Sequence, residues 1–185
     1  IMSEAKYFSD TAVIVIGRSG GENADLPTDM YGVIHGTYDL ANVVSSAPDN
    51  FDFTRCAYTN NGSYDYFEEG ESYLELSRTE EDLVEKVCSE FDHVIVVVNA
   101  NNTMELSWVD ESEQIGAVIL APGTGASGFA ALGEIINGTV NPSGKTVDTF
   151  VRDLTATPYY NNIGNHSYNN VKDLNDQGVA ADPSS

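Results

Sequence analysis

The sequence predicts an α/β protein, a three-layer sandwich on a mainly parallel sheet. Three observations carry this. Apolar, valine- and isoleucine-rich runs stand at residues 12–16, 94–98 and 117–120. Such runs suit strands covered on both faces. Segments of helical period lie between and after them, and strands that alternate with helices imply right-handed βαβ crossovers. The first and third runs break directly into glycine-containing turns, which place polar groups at the carboxyl edge of the sheet.

The elements follow in order. Residues 3–9 read as a helix leading into the strand at 12–16. Ser77-Arg78-Thr79-Glu80 is a capping box that opens a helix. Leu83, Val84, Val87, Cys88 and Phe91 then recur at helical spacing and predict one buried face. Val94 to Val98 is unbroken and predicts a central strand. A short helix at Trp108 and a third strand follow. Residues 126–137 predict a helix with Phe129, Leu132, Gly133 and Ile136 as its buried stripe, stopped by Gly138.

The domain is expected over residues 1–159, with an insert at about 26–72 and a linker or disordered tail at 160–185. The insert is long for an ordinary loop. It is rich in aromatics, Tyr31, Tyr38, Phe51, Phe53, Tyr58, Tyr64, Tyr66 and Phe67. These suit folding the insert onto the domain, and one or two suit stacking on a sugar ring. Three strands make a small sheet, so the domain is expected to be incomplete at its N-terminal side, with a further strand upstream.

Charge narrows the function. The 185 residues carry 29 acidic and 8 basic side chains, a formal net charge of −21. A phosphate backbone would be repelled, which argues against nucleic acid as a partner. An anionic membrane surface is disfavoured for the same reason. No apolar run approaches a membrane span, and no signal-peptide pattern opens the sequence. The reading is a soluble protein of the bacterial cytoplasm or cell exterior, with the compartment left open. Cys56 and Cys88 do not make a disulfide framework, and His35, His93 and His166 lack metal-ligand spacing. Neither a metal nor a cofactor is expected.

The most informative stretch is Gly17-Arg18-Ser19-Gly20-Gly21-Glu22-Asn23-Ala24-Asp25, directly after the first strand. The glycines permit a sharp turn. Glu22 and Asp25 then stand at the sheet rim with Arg18 nearby. A carboxylate there suits proton transfer if a second surface covers it. The same pattern also fits a plain βα loop with solvated acids.

This strand and turn resemble the "strand, G-R-x-x-G-E-x-x-D" segment of family 3 glycoside hydrolases of the β-glucosidase type. The likeness continues in order through Tyr73-Leu74-Glu75-Leu76-Ser77, Val94-Ile95-Val96-Val97-Val98-Asn99-Ala100, Met104-Glu105-Leu106-Ser107-Trp108-Val109, Ala121-Pro122-Gly123-Thr124-Gly125, Asn141-Pro142-Ser143-Gly144-Lys145 and Asp148-Thr149-Phe150. It covers residues 5–160 apart from 27–72. One departure is Asn23, where the family commonly has glycine. The resemblance implies a flavodoxin-like α/β sandwich from a retaining β-glycosidase acting on terminal β-D-glycosides. It implies Glu22 as the general acid/base, and an Asp nucleophile on a (β/α)8 barrel domain, usually in a Ser-Asp-Trp context that these residues lack. Arg18 and Asp25 are candidates to position the turn or touch a sugar hydroxyl. The alternative is a catalytically idle flavodoxin-like binding or interaction module.

Two other patterns carry less. Gly123-x-Gly125-x-x-Gly128 with Asp148 downstream has the outline of a dinucleotide fingerprint, but Pro122 and Asn141-Pro142 interrupt the context it needs. Asp173-x-Asn175-x-Gln177-Gly178 is a poor match to a calcium loop.

Overall fold

The computed structural model describes residues 1–18, 29–37 and 66–157. Its contacts divide the chain into two units, Ile1–Gly20 with Leu74–Arg152, and Gly21–Tyr73 with Asp153–Ser185.

The first unit holds the sheet. Strands β1 (Thr11–Arg18), β2 (His93–Ala100) and β3 (Ile115–Leu120) lie in the order β1-β2-β3, and both pairings are parallel. Gly17 sits opposite Asn99 and Arg18 opposite Ala100, while Val98 faces Leu120. Three parallel strands therefore end at one edge. A register irregularity at Val94 and Ile95 separates the start of β3 from its later pairing. This is the α/β arrangement the sequence predicts.

One face of the sheet is covered. Helix α1 (Met2–Phe8) contributes Met2 and Ala5 to it. Val84, Val87 and Phe91, on and just after helix α3 (Arg78–Cys88), pack with Ile14, Ile16, Val94, Val96, Val98 and Met104. Each such fully buried aliphatic side chain contributes about 1.5–3 kcal/mol. Period two in the strands and 3.6 in the helix make these faces meet. Leu83, expected on the buried face of α3, is 43% exposed, and Cys88 packs at the margin of the core. On the opposite face Val13 and Val15 of β1 are exposed.

The stretch after β3 departs from expectation. A single helix over 126–137 is replaced by two short ones, α5 (Gly125–Gly128) and α6 (Ala130–Ile136), joined at Phe129. Neither contains a buried residue, so the predicted stripe of Phe129, Leu132, Gly133 and Ile136 is not a buried one among the described residues. The break has a local cause. Gly128 stands directly before the break at Phe129, and a glycine costs a helix interior about 1 kcal/mol relative to alanine. Between β2 and β3 lies helix α4 (Ser107–Asp110), where the Trp108 indole donates to the Glu105 carbonyl at 3.0 Å. Arg152 pairs with Asp110.

The second unit has its own small core of Met30, Phe67 and Tyr73, flanked by Ile34 and Tyr66. Helix α2 (Met30–His35) lies inside the stretch read from sequence as an unpatterned insert. Asp29 caps it by accepting from the Gly32 amide at 3.0 Å, and accepts from Gly70 at 3.2 Å as well. Met30 donates to the Glu71 carbonyl at 2.7 Å. Residues 29–30 and 70–71 are thus held together.

Candidate active site

Parallel pairing brings the carboxyl ends of β1, β2 and β3 to one edge. There a cleft of about 290 Å³ is lined by Arg18, Asn99, Ala100, Asn101, Gly123, Thr124, Gly125 and Phe129. The β2 end is braced against the loop after β3: Asn99 donates its side-chain amide to the Ala121 carbonyl at 2.7 Å, and the Ala121 amide donates to Val98 at 2.9 Å. Gly123 is required here. Its φ is +48°, and a Cβ on it would stand 3.1 Å from Oδ1 of Asn101. The neighbouring Asn102 has a buried Oδ1 with no hydrogen-bond partner among the described residues.

Arg18 is the last residue of β1 and is 6% exposed. Its guanidinium is held from three directions. Nη1 donates to the Gly17 carbonyl at 2.8 Å and to Oε1 of Glu80 at 2.6 Å. Nη2 donates to the Glu75 carbonyl and to Oε2 of Glu80, both at 2.6 Å. This is a bidentate, charge-assisted pairing. Glu80 also completes the capping box of α3, accepting from the amide and the hydroxyl of Ser77 at 2.8 Å each. Burial pushes the Glu80 carboxyl up. The Arg18 hydrogen bonds and charge, with the two Ser77 donors, outweigh that and hold it below the usual carboxylate range.

Of the residues singled out in the sequence, Arg18 stands on this edge, and its side chain is engaged in holding β1 to the start of α3. Glu22 and Asp25 lie outside the described residues, as do Cys56, His166 and the 160–185 tail. Asp148 is exposed in a stretch with no strand among the described residues, which removes the second strand a dinucleotide fingerprint needs. Among the described residues no three His, Cys, Asp or Glu side chains gather as a metal site, and no helix is long and apolar enough to cross a membrane. Sequence reasoning missed Glu80 as the partner of Arg18. Its capping-box position was visible, but its pairing across 62 positions carried no local signal.

Comparison with known proteins places this edge in context. The model of the glycosyl hydrolase family 3 C-terminal domain matches residues 2–179. Beta-glucosidase A of Butyrivibrio fibrisolvens is 32% identical over 158 residues, covering 85% of this chain and 17% of that protein. Beta-glucosidase of Ruminococcus albus is 24% identical over 165 residues, 89% of this chain and 13% of its own length. Thermostable beta-glucosidase B of Acetivibrio thermocellus is 29% identical over 92 residues, half of this chain and 12% of that one. The chain therefore spans less than a fifth of the length of these relatives. With a matching family model over nearly all its residues and a parallel α/β sheet beneath them, the chain belongs to glycosyl hydrolase family 3, in the region of its C-terminal domain.

Proposed function

We propose that this chain is the acid/base-bearing part of a retaining β-glycosidase that hydrolyses terminal β-D-glycosides, β-glucosides first among them. The observation that carries the reading is the placement of Arg18. It ends β1 at the carboxyl edge of a wholly parallel sheet, and Ser19-Gly20-Gly21-Glu22 follows it without interruption. Open α/β sheets build their sites at that edge. Family membership and the beta-glucosidase relatives support the choice of chemistry.

In this reading Glu22 is the general acid/base. As an acid it protonates the departing glycosidic oxygen. As a base it then takes a proton from the water that opens the glycosyl-enzyme. The Asp nucleophile comes from a (β/α)8 barrel domain of the same parent protein. Retention places the two carboxyls about 5–5.5 Å apart, so the barrel must close over the sugar. Partial burial and the nucleophile's charge then keep Glu22 protonated at the start of the cycle. Arg18 positions the turn, and Asp25 is placed to position it further or to meet a sugar hydroxyl. No cofactor or metal enters this scheme.

The test is Glu22→Gln in the full-length protein, assayed on a disaccharide and on an aryl glycoside with an activated leaving group. Disaccharide turnover should collapse, and the aryl glycoside should suffer less at the glycosylation step because its leaving group needs little acid. Near-normal disaccharide turnover would remove Glu22 from the acid/base role.

A further inference from the structure

The pair Asn-Gly stands at Asn61-Gly62 and at Asn137-Gly138, and the second lies among the described residues. It ends helix α6. Asn137 is the C-cap, with φ −81° and ψ 0°, and Gly138 follows in the left-handed region at φ +78°. Both residues are exposed. Oδ1 of Asn137 accepts from the Thr139 amide at 2.9 Å and from the Thr139 hydroxyl. Two donors on one carbonyl oxygen draw electron density from Cγ and make it more electrophilic. Beside it stands a nucleophile, the Gly138 amide nitrogen. No Cβ shields that nitrogen, and no atom beyond the chain neighbours lies within 4 Å of where a Cβ would be. One contact holds it back: the Gly138 N–H donates to the Ile135 carbonyl at 3.0 Å. That bond closes a helix of 7 residues, none of them buried. A helix so short is marginal without packing, so this end opens locally at small cost.

We propose that Asn137 is a deamidation site whose rate is set by the opening of α6. In the open form the Gly138 nitrogen attacks Cγ of Asn137. The new N–Cγ bond closes a five-membered imide and the Cγ–Nδ2 bond breaks. The side-chain nitrogen leaves as ammonia, taking up the Gly138 amide proton. Water then opens the imide at one of its two carbonyls, giving aspartate or isoaspartate. Each event adds a negative charge to a chain already at −21. The charge falls at the C-terminal end of α6, where the helix dipole disfavours it. Isoaspartate also puts an extra methylene in the backbone between the Glu134 carbonyl and the Val140 amide, which now meet at 3.1 Å. The modified end therefore opens more readily than the original.

The experiment incubates the full-length protein in mild alkali, folded and in guanidinium chloride. Peptide mapping by mass spectrometry follows Asn137 apart from Asn61, with aspartate and isoaspartate scored separately. Hydrogen exchange measures the protection of the Gly138 amide in the folded protein. The expected result is conversion of Asn137 to both products in the folded protein. It should be slower than in guanidinium by a factor that matches the Gly138 protection factor within about threefold, since one opening governs both. Ala131→Gly, an exposed position inside α6, should speed conversion in the folded protein about fivefold, the bias that glycine puts on helix opening. Should that variant lower the global Tm, the match between protection and slowing decides by itself. An unchanged Asn137 in the folded protein, over a time that converts it fully in guanidinium, would overturn the proposal. Aspartate without isoaspartate would overturn it too, because the side-chain amide would then be hydrolysed directly. Equal rates in the folded and unfolded protein, or an Ala131→Gly rate unchanged at the same Tm, would remove α6 as the gate.

Discussion

Glu80→Ala is the substitution with the largest expected effect on this sheet edge. It removes the carboxylate from a guanidinium whose side chain is 2% exposed, while Glu80 itself is 20% exposed. Breaking a buried pair from one side costs about 3–5 kcal/mol, because the remaining charge is left unpaired. Loss of the capping interaction at Ser77 adds about 0.3–1.5 kcal/mol. The upper part of that sum is a large share of a domain's whole stability of about 5–15 kcal/mol. Adding Arg18→Met should recover most of the loss, and with Arg18→Met alone measured as well the cycle gives the coupling between the two residues. The effect also depends on pH. The folded carboxyl is held below its ordinary value of 4.5, so its contribution is fully present above that value and is lost as pH falls through the folded one. The difference in Tm between the parent and Glu80→Ala should be constant from about pH 6 to 8 and shrink in acid. Scanning calorimetry of the full-length protein across pH, following the transition that responds to the substitution, measures both. A loss below about 1 kcal/mol, the range of an exposed pair, would refute the reasoning. So would a difference that does not shrink in acid.

Three further outcomes follow from the same structure. Gly123→Ala places a Cβ at φ +48° and 3.1 Å from Asn101, so it should cost about 1–2 kcal/mol in thermal denaturation; a neutral result would show that the loop after β3 relaxes freely. The 185-residue chain alone should not hydrolyse an aryl β-glucoside, since it has no Asp in a Ser-Asp-Trp context; specific turnover by the purified chain would contradict the split site. Shortening residues 31–68 to a Gly/Ser link in the full-length protein should raise KM for oligosaccharides more than for an aryl monoglycoside, by removing remote sugar contacts. Equal losses on both substrates would assign those residues a structural role.

The sequence made the sheet legible because burial leaves a local mark. Unbroken β-branched runs gave β1, β2 and β3, and the Ser77–Glu80 box gave the start of α3 to the residue. Helix α2 was missed although its signals were present, Asp29 at the N-cap and Gly36 in the left-handed region just after His35. Six helical residues offer too few turns for periodicity to register. The apolar positions of α5 and α6 were read correctly as apolar and wrongly as buried, since periodicity names a face and not what covers it. The Arg18–Glu80 pair was invisible for a related reason. Each residue had a satisfactory local reading, one at a turn and one at a cap, and only the fold joins them. The cleft's Asn99 was read as part of a strand end; its convergence with Asn101 and Gly123 depends on parallel pairing across β2 and β3.

The central claim is that Glu22 supplies the proton and then activates the water. Azide tests it most directly, being a nucleophile that needs no general base. In Glu22→Gln of the full-length protein, with an activated aryl β-glucoside, azide should accelerate turnover and yield the β-glycosyl azide, the product of attack on a glycosyl-enzyme with net retention. Turnover that azide leaves unchanged, with glucose as the sole sugar product, would contradict the account.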